Sequence, residues 1–152
     1  MKFVIQRVKS AACAVDGSTV SSIDRGLVVF VGITVGDAEQ ALRIAADKIT
    51  GLRIFSDDLE KMSLNVNDIG GKILLIPNFT LCGDLRCGYR PDFSEAESFG
   101  SAKALFGRFT ELVGNLAPVR TGVFGANMLV TAENDGPVTV MLDTEKMKEP
   151  RA

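Results

Sequence analysis

The chain has 152 residues, of which 46% are hydrophobic and 24% are charged, and its formal net charge is −2. This length and composition predict one globular domain, 1–152, and exclude a disordered chain, whereas the net charge neither favours nor excludes a nucleic acid partner. The sequence contains 0 histidines. Ser-His-Asp and Cys-His catalysis and the usual catalytic zinc sites are therefore excluded.

The N-terminal part of the chain predicts strands. Residues 2–9 and 12–15 have strand patterns, and a turn at 16–18 makes the second of them the first half of a hairpin. The apolar run 26–33 lacks alternation, which is typical of a strand covered on both faces. No apolar run approaches the roughly 18 residues of a membrane span, and no cleavage site follows the N-terminus, so we expect a cytoplasmic protein without a membrane partner.

Two helices are expected, one in each half of the chain. Asp37 and Gln40 form a capping box for a helix that begins at Ala38. Residues 94–97 read as the start of the second helix, and the apolar positions that follow are expected to face the core. These positions are Phe99, Ala102, Leu105, Phe106, Phe109, Leu112 and Val113.

The remaining segments complete the predicted fold. A strand at 72–79 precedes the loop 82–95, and residues 123–144 read as two strands joined in a hairpin at 134–136. The order of elements predicts the α+β (mixed α/β) class, with a mixed, partly barrel-like β-sheet and two main helices packed to one side. We expect residues 145–152 to form a flexible tail.

The end of the strand 72–79 is the first candidate site. Pro77 has no amide hydrogen and marks a place where a strand ends or leaves its sheet. The amides of Asn78, Phe79 and Thr80 could then be unpaired, and convergent free amides form oxyanion sites. An ordinary strand end with an exposed hydroxyl is the alternative.

Other candidates are scattered along the chain. Gly136-Pro137 lies in the predicted hairpin turn, where an X-Pro bond is able to be cis. Arg7, Arg86 and Arg90 suit phosphate binding through bidentate geometry, or are plain surface charges. Phe124 and Met128, at strand spacing, could flank a flat ring or could pack in the core.

Several of these segments occur in the order and spacing of one family. They read "MKFVIQRV", "LRIFSD", "EKMSLNV", "FTLCGD", "RPDF", "FGANM" and "NDGPVT". Over nearly its whole length the chain resembles the D-aminoacyl-tRNA deacylase family. The resemblance implies a homodimer that hydrolyses the ester joining a D-amino acid, or glycine, to the 3′ end of tRNA, with no cofactor, no metal and no DNA partner.

The resemblance also assigns roles to individual residues. Gly136 and Pro137 would form a cis pair that enters the partner subunit's site, binds the α-amino group and excludes L side chains, with Arg7 as its brace. The backbone amides of Phe79 and Thr80 would lie near the scissile carbonyl, and the hydroxyl of Thr80 is a second candidate group. The adenosine pocket would comprise Phe124, Gly125, Ala126 and Met128.

The chain departs from the family at Pro77 and Asn78, where the family's motif has serine and glutamine. Roles of those two side chains are therefore open, and both positions are treated as supporting residues. A catalytically impaired or chirally relaxed protein that binds the tRNA acceptor end is the alternative function. A thiol redox or metal-binding role for Cys82 and Cys87 is a further alternative, which the lack of histidine and of a second cysteine pair disfavours.

Overall fold

The structure of the protein is a computed structural model that describes residues 1–148. These residues form eight strands, two α-helices and two short 3₁₀ helices. The strands are β1 (Lys2–Val15), β2 (Ser18–Ile23), β3 (Gly26–Gly32), β4 (Phe55–Ser56), β5 (Met62–Leu64), β6 (Lys72–Pro77), β7 (Val119–Thr121) and β8 (Leu129–Asp143). The α-helices are α1 (Glu39–Thr50) and α2 (Phe99–Gly114), and the 3₁₀ helices are Phe79–Cys82 and Lys146–Lys148. Residues 149–152 of the predicted tail lie outside the described part.

The main sheet is built around β1, which is long enough to pair with three strands. Its first half pairs antiparallel with β3, its second half pairs antiparallel with β2, and β8 follows its other edge. β6 joins β3 in parallel, and β7 joins β6 in parallel. The sheet curls until β2 faces the first residues of β6 and β7 across a groove. The prediction of a mixed, partly barrel-like sheet is confirmed.

Two apolar cores lie on opposite faces of the sheet. In β3, Leu27 and Val29 face the core that contains the helices, whereas Val28 faces the second core inside the curled sheet. In β6, Leu75 faces the core that contains the helices and Leu74 faces the second core. Each such buried side chain stabilises the fold by roughly 1.5–3 kcal/mol. Strands covered on both faces and helices packed to one side are therefore confirmed.

The predicted hairpin at 123–144 is wrong, because β8 is one continuous strand. Pairing between β8 and β1 continues on both sides of residues 135–138, which bulge out opposite Arg7. The turn residues at 134–136 therefore make a wide bulge and not a reversal of the chain. The physical reason is the length of β1, which offers an antiparallel partner to both parts of β8.

The predicted capping box at Asp37 is also wrong. The N-cap of α1 is Ala38, and it makes no side-chain hydrogen bond to the helix. The Asp37 carboxylate instead accepts hydrogen bonds from the buried ammonium group of Met1 (2.7 Å) and from the backbone amide of Thr34 (2.7 Å). The Asp37 side chain, which the local pattern predicts as a helix cap, therefore forms a long-range ion pair with Met1 instead.

The helix α2 begins at Phe99, later than the predicted start at 94–97. The residues before it form a turn and then run beside the end of β3. There the amide of Glu97 donates to the carbonyl oxygen of Ile33 (3.0 Å), and the amide of Val35 donates to that of Glu95 (3.0 Å). These backbone bonds compete with helix formation. The delayed start leaves the first turn of α2 facing a cleft.

Replacing Gly107 in α2 with alanine is expected to stabilise the protein by about 0.5–1 kcal/mol, because glycine in a helix interior loses more backbone entropy on folding. A Cβ atom at this position meets nothing within 4 Å. Urea unfolding measures the change in the free energy of unfolding. The control is Gly26→Ala, whose Cβ would overlap the carbonyl of Lys72 and must destabilise the sheet. A destabilised Gly107→Ala variant would contradict the prediction.

Candidate active site

A cleft of about 370 Å³ lies where β3 and β6 end. Its walls come from four segments: the end of β3 with the residue after it, the end of β6 with the two residues after it, the chain leading into α2 with the first turn of that helix, and the turn that follows β7. The lining residues are Val31, Ile33, Pro77, Asn78, Phe79, Ala96, Glu97, Phe99, Ala102, Phe124 and Gly125. Five residues predicted from the sequence, Pro77, Asn78, Phe79, Phe124 and Gly125, therefore meet in one cleft.

The 3₁₀ helix Phe79–Cys82 presents two backbone amides beside the cleft. The amide of Leu81 donates to the carbonyl oxygen of Asn78 (3.3 Å), which is the first hydrogen bond within this helix. Amides that precede the first bond of a helix have no acceptor inside it. The amides of Phe79 and Thr80 are in that position.

The predicted free amide of Asn78 is wrong. Its N–H donates to the carbonyl oxygen of Val31 (2.8 Å), which extends the pairing between β3 and β6 by one residue. The Asn78 side chain is also in use, because its Oδ1 accepts the hydroxyl of Thr80 (2.5 Å). Thr80 itself is exposed and lies next to the lining residues, and its hydroxyl is directed toward Asn78.

Aromatic rings stand on two sides of the cleft. The Phe79 ring, 60% exposed, packs edge-on against Phe93 with 5.1 Å between ring centroids. Phe99 packs edge-on against Phe124 at 5.2 Å and is 65% exposed. The prediction that Phe99 belongs to the core is therefore wrong, since the late start of α2 places its ring at the cleft.

Met128 does not line the cleft with Phe124. The segment between them is a turn and not a strand, closed by a hydrogen bond from the amide of Ala126 to the carbonyl oxygen of Val123 (3.2 Å), so strand spacing does not apply. The side chain of Met128 packs against the second core. Ala126 lies within the turn and is also absent from the lining residues.

Glu97 brings a carboxylate to the cleft, and sequence reasoning missed it. Its Oε1 accepts the amide of Ser98 (2.7 Å), and its own amide is bound to Ile33. The residue belongs to the segment that was predicted to be helical. The sequence offers no signal that Glu97 stays outside the helix, because its backbone partner, Ile33, lies after β3 and is distant in the chain.

Arg7 lies behind the bulge of β8 and braces it. Its Nε donates to the carbonyl oxygen of Asp135 (3.0 Å) and its Nη1 donates to that of Ile54 (2.7 Å). The guanidinium also forms an ion pair with the Asp135 carboxylate (3.4 Å) and is 12% exposed. The Gly136–Pro137 peptide bond is cis, and Gly136 has a φ of 141°.

The bulge and the cleft lie at different ends of the sheet within one chain. Arg7 pairs with Leu27 on β3, whereas the cleft begins beside Val31 on the same strand. At about 3.3 Å per residue these positions are roughly 13 Å apart. The structure of one chain therefore does not bring Gly136 and Pro137 to the residues that line its own cleft.

The two loop arginines have different surroundings. Arg86 binds the Asp84 carboxylate through Nε (2.8 Å) and Nη2 (2.5 Å), and these hydrogen bonds lower the pKa of Asp84 to about 2. Arg90 is exposed and has no ion pair within residues 1–148. Of the two guanidinium groups, only that of Arg90 lacks a carboxylate partner among the described residues.

The cysteines do not form a reactive pair. The Cys82 thiol is buried and donates to the carbonyl oxygen of Ile33 (3.4 Å), and burial raises its pKa. A thiol with a raised pKa is a poor nucleophile. Among the described residues no cluster of three or more potential metal ligands is present. Nor does the described part contain a helix long and apolar enough to cross a membrane.

Comparison with known proteins identifies the family. The sequence profile described as D-Tyr-tRNA(Tyr) deacylase matches residues 4–143. The chain is 48% identical over 148 residues to a D-aminoacyl-tRNA deacylase of Thermotoga petrophila, covering 97% of this chain and 99% of that protein. A second D-aminoacyl-tRNA deacylase, from Dictyoglomus turgidum, is 45% identical over 152 residues, which cover 99% of this chain and 97% of that protein.

Solved structures show the same fold. The c-Myc DNA unwinding element binding protein superposes with a TM-score of 0.90 at 37% identity, covering 94% of this chain and 98% of the other. A probable eukaryotic D-amino acid tRNA deacylase superposes with a TM-score of 0.81 at 20% identity, covering 93% and 97%. The match of profile, sequence and fold over nearly the whole length shows that this chain belongs to the D-aminoacyl-tRNA deacylase family.

Proposed function

We propose that this protein hydrolyses the ester bond between a D-amino acid and the 3′ adenosine of tRNA, and that it also removes glycine from tRNA mischarged with it. The free D-amino acid and intact tRNA are the products, which makes the protein a chiral proofreading enzyme of translation. The observation that carries the proposal is the pair of unbonded amides of Phe79 and Thr80 at the rim of an aromatic cleft in a member of this family.

The two amides are suited to stabilise the oxyanion. Water attacks the ester carbonyl carbon, the carbonyl oxygen gains negative charge, and the bond to the ribose 3′ oxygen then breaks while that oxygen receives a proton. Preorganised amides that point at the developing charge lower this barrier. With 0 histidines in the chain, we assign assistance of the attacking water to the ribose 2′-hydroxyl of the substrate.

The aromatic side of the cleft suits the terminal adenosine. Phe124 and Gly125 line it together with Phe99, and an apolar flat surface favours stacking of a purine ring. Ala126 belongs to the same turn, whereas Met128 packs against the second core and is not assigned a contact with the adenosine. The carboxylate of Glu97 lies in the same cleft, where it can accept hydrogen bonds from the substrate.

The chirality filter is assigned to Gly136 and Pro137 of a second copy of the chain. Their carbonyls would hold the α-amino group so that an L side chain meets backbone, which is a steric exclusion. The brace that Arg7 provides to the bulge supports a rigid filter. The separation of bulge and cleft within one chain is consistent with a homodimer in which each subunit completes the other's site.

A deacylation assay tests the proposal. Purified protein is incubated with D-Tyr-tRNA, L-Tyr-tRNA and Gly-tRNA, and release of the amino acid is followed over time. We expect hydrolysis of the D-tyrosyl and glycyl esters and retention of the L-tyrosyl ester. If none of the three is hydrolysed, the protein is the impaired acceptor-end binder that the change to Pro77 and Asn78 leaves open. Equal hydrolysis of D and L esters would identify a chirally relaxed enzyme.

Replacing Thr80 with alanine is expected to reduce activity by less than about tenfold, because the backbone amide of residue 80 remains and the hydroxyl is directed toward Asn78. Single-turnover deacylation of D-Tyr-tRNA measures the effect. Thr80→Val, which keeps the shape without the hydroxyl, is the matched variant. A loss of more than about a thousandfold in both, roughly 4 kcal/mol of barrier, would show that the hydroxyl is the nucleophile.

A further inference from the structure

We propose that the tip of the loop between Asp84 and Asp92 binds the unpaired 3′ strand of tRNA next to its terminal adenosine, through the ring of Tyr89 and the guanidinium of Arg90. The inference rests on the proposed function, because it names the part of that substrate which the loop contacts. The ligand chemistry is a single-stranded polynucleotide, which offers base faces for stacking and phosphates for ion pairing.

The loop is held at its base beside the cleft. The amide of Asp84 donates to the carbonyl oxygen of Asp92 (2.7 Å), and the amide of Asp92 donates back to that of Asp84 (3.0 Å). The next residue, Phe93, packs on the ring of Phe79 at the cleft. Cleft residues both precede and follow the loop in the chain. The loop therefore projects from the rim of the cleft.

The tip reaches only a short distance from this base. Tyr89 lies five residues beyond Asp84, and an extended chain spans at most about 3.3–3.6 Å per residue, or roughly 17 Å. A ligand that occupies the cleft with its terminal nucleoside has its adjoining nucleotides within this range. More distant parts of a tRNA lie beyond it.

The tip carries an aromatic ring without a partner in the fold. Tyr89 is the one tyrosine of a chain with 0 tryptophans, and it is fully exposed at 105%. The neighbouring Leu85 is 67% exposed. Proteins that bind single strands place exposed aromatic rings where bases stack on them, and removal of such a ring weakens binding.

The charges of the tip favour a polyanion. Residues 85–90 contain two arginines and no acidic residue. The contacts with Asp84 engage Arg86, which holds the loop's shape, whereas Arg90 is free of ion pairs within residues 1–148. A guanidinium beside an exposed ring is able to bind phosphate while the ring stacks on a base. An acidic peptide could also pair with Arg90, but it would not explain why the loop lies at the rim of the cleft.

The test compares two substrates that share the same ester. One is D-Tyr-tRNA, and the other is 3′-O-(D-tyrosyl)adenosine, which has only the terminal nucleoside. We expect Tyr89→Ala and Arg90→Ala each to lower the ratio of kcat/KM for the tRNA to kcat/KM for the nucleoside ester by about tenfold. Tyr89→Phe should retain the ratio within about twofold because the ring remains.

Salt dependence separates the two roles. Arg90→Ala should reduce the slope of log kcat/KM for the tRNA against log salt by about 0.7, as expected for one lost phosphate contact on a single strand. Tyr89→Ala should leave that slope as it is in the wild type. The matched control is Lys61→Ala, an exposed cation beside β5 and away from the cleft, which should change neither the ratio nor the slope.

Several results would overturn the inference. One is a ratio of the two kcat/KM values that stays at the wild-type value in both alanine variants. Another is an equal loss of kcat/KM for both substrates, which would mean that the loop only supports the cleft. If the wild type hydrolyses neither substrate, the proposed function fails, and the inference is then judged by binding of uncharged tRNA. Wild-type affinity should fall when the 3′ CCA is trimmed from that tRNA, and Tyr89→Ala should make this fall about tenfold smaller, because only the contact of the terminal adenosine with the cleft remains to be lost. A fall of the same size in Tyr89→Ala as in the wild type refutes the inference.

Discussion

Replacing Gly32 with alanine is expected to lower kcat for D-Tyr-tRNA by about a hundredfold while the protein stays folded. A Cβ atom at residue 32 would lie 2.9 Å from Cβ of Leu81 and 3.3 Å from both the carbonyl oxygen of Asn78 and Sγ of Cys82. The 3₁₀ helix Phe79–Cys82 must therefore move away from β3. Loss of one oxyanion donor costs about 10²–10³ in kcat, and a shift of about 1 Å is able to cost 10².

The measurement is single-turnover deacylation alongside urea unfolding. Overpacking is expected to reduce the free energy of unfolding by about 1–3 kcal/mol, which a domain of this size tolerates. Gly107→Ala is the matched control, since it adds the same methyl group where nothing lies within 4 Å. A kcat within about threefold of the wild type for Gly32→Ala would contradict the role given to the amides of Phe79 and Thr80.

Replacing Asp37 with asparagine is expected to destabilise the protein by about 3 kcal/mol. The carboxylate pairs with the Met1 ammonium at 2.7 Å, and the two groups are 2% and 0% exposed. Removing one charge of a buried pair leaves the other uncompensated, which costs about 3–5 kcal/mol. Asparagine keeps one oxygen for the ammonium, but it turns an NH₂ group toward the Thr34 amide and hydroxyl that now donate to Asp37.

Urea unfolding monitored by circular dichroism measures this change. The control is Asp47→Asn on the exposed face of α1, where removal of the charge is expected to change the free energy of unfolding by less than about 0.5 kcal/mol. The ammonium of Met1 also donates to the hydroxyl of Thr144 at 2.7 Å, so the pair holds the start of β1 to the residue that follows β8. If Asp37→Asn lowers the free energy of unfolding by less than about 1 kcal/mol, the buried ion pair does not stabilise the protein and the prediction is wrong.

Local sequence patterns correctly predicted the elements that are compatible with only one type of secondary structure. The run 26–33 and the strand predicted at 72–79, which ends at Pro77 in the structure, are apolar on both faces and are therefore central strands, as the two cores show. The hairpin after Val15 followed from its turn residues. The bulge at 135–138 did not, because the same turn residues serve either a reversal or a bulge, and the partner strand β1 decides between them.

The sequence predicted several residues of the candidate site, but it did not predict how all of them are arranged around the cleft. Pro77, Phe79 and Phe124 meet in the cleft because Pro77 ends β6, Phe79 lies two residues beyond it, and Phe124 lies in the turn after β7, the parallel neighbour of β6. The sequence predicts that Glu97 is helical and that Phe99 belongs to the core. The backbone bond from Glu97 to Ile33 delays the start of α2 to Phe99, and both side chains lie at the cleft. Met128 was assigned to the cleft, and a turn placed it against the second core.

By itself, the sequence determined the fold class, the central strands, the family and the identity of the segments that surround the cleft. These depend on apolar periodicity and on motif order, which are properties of neighbouring residues. Only the tertiary structure decided which polar groups are already bound: Asp37 by Met1, the amide of Asn78 by Val31, and Arg86 by Asp84. Two of these partners are distant in sequence, and a buried or paired group is not free to act on a substrate. The sequence proposes the amides of residues 78–80 and the side chains of Arg86 and Arg90 as candidate groups. Only the folded chain separates those that are already bound from the amides of Phe79 and Thr80 and the side chain of Arg90, which have no partner among the described residues.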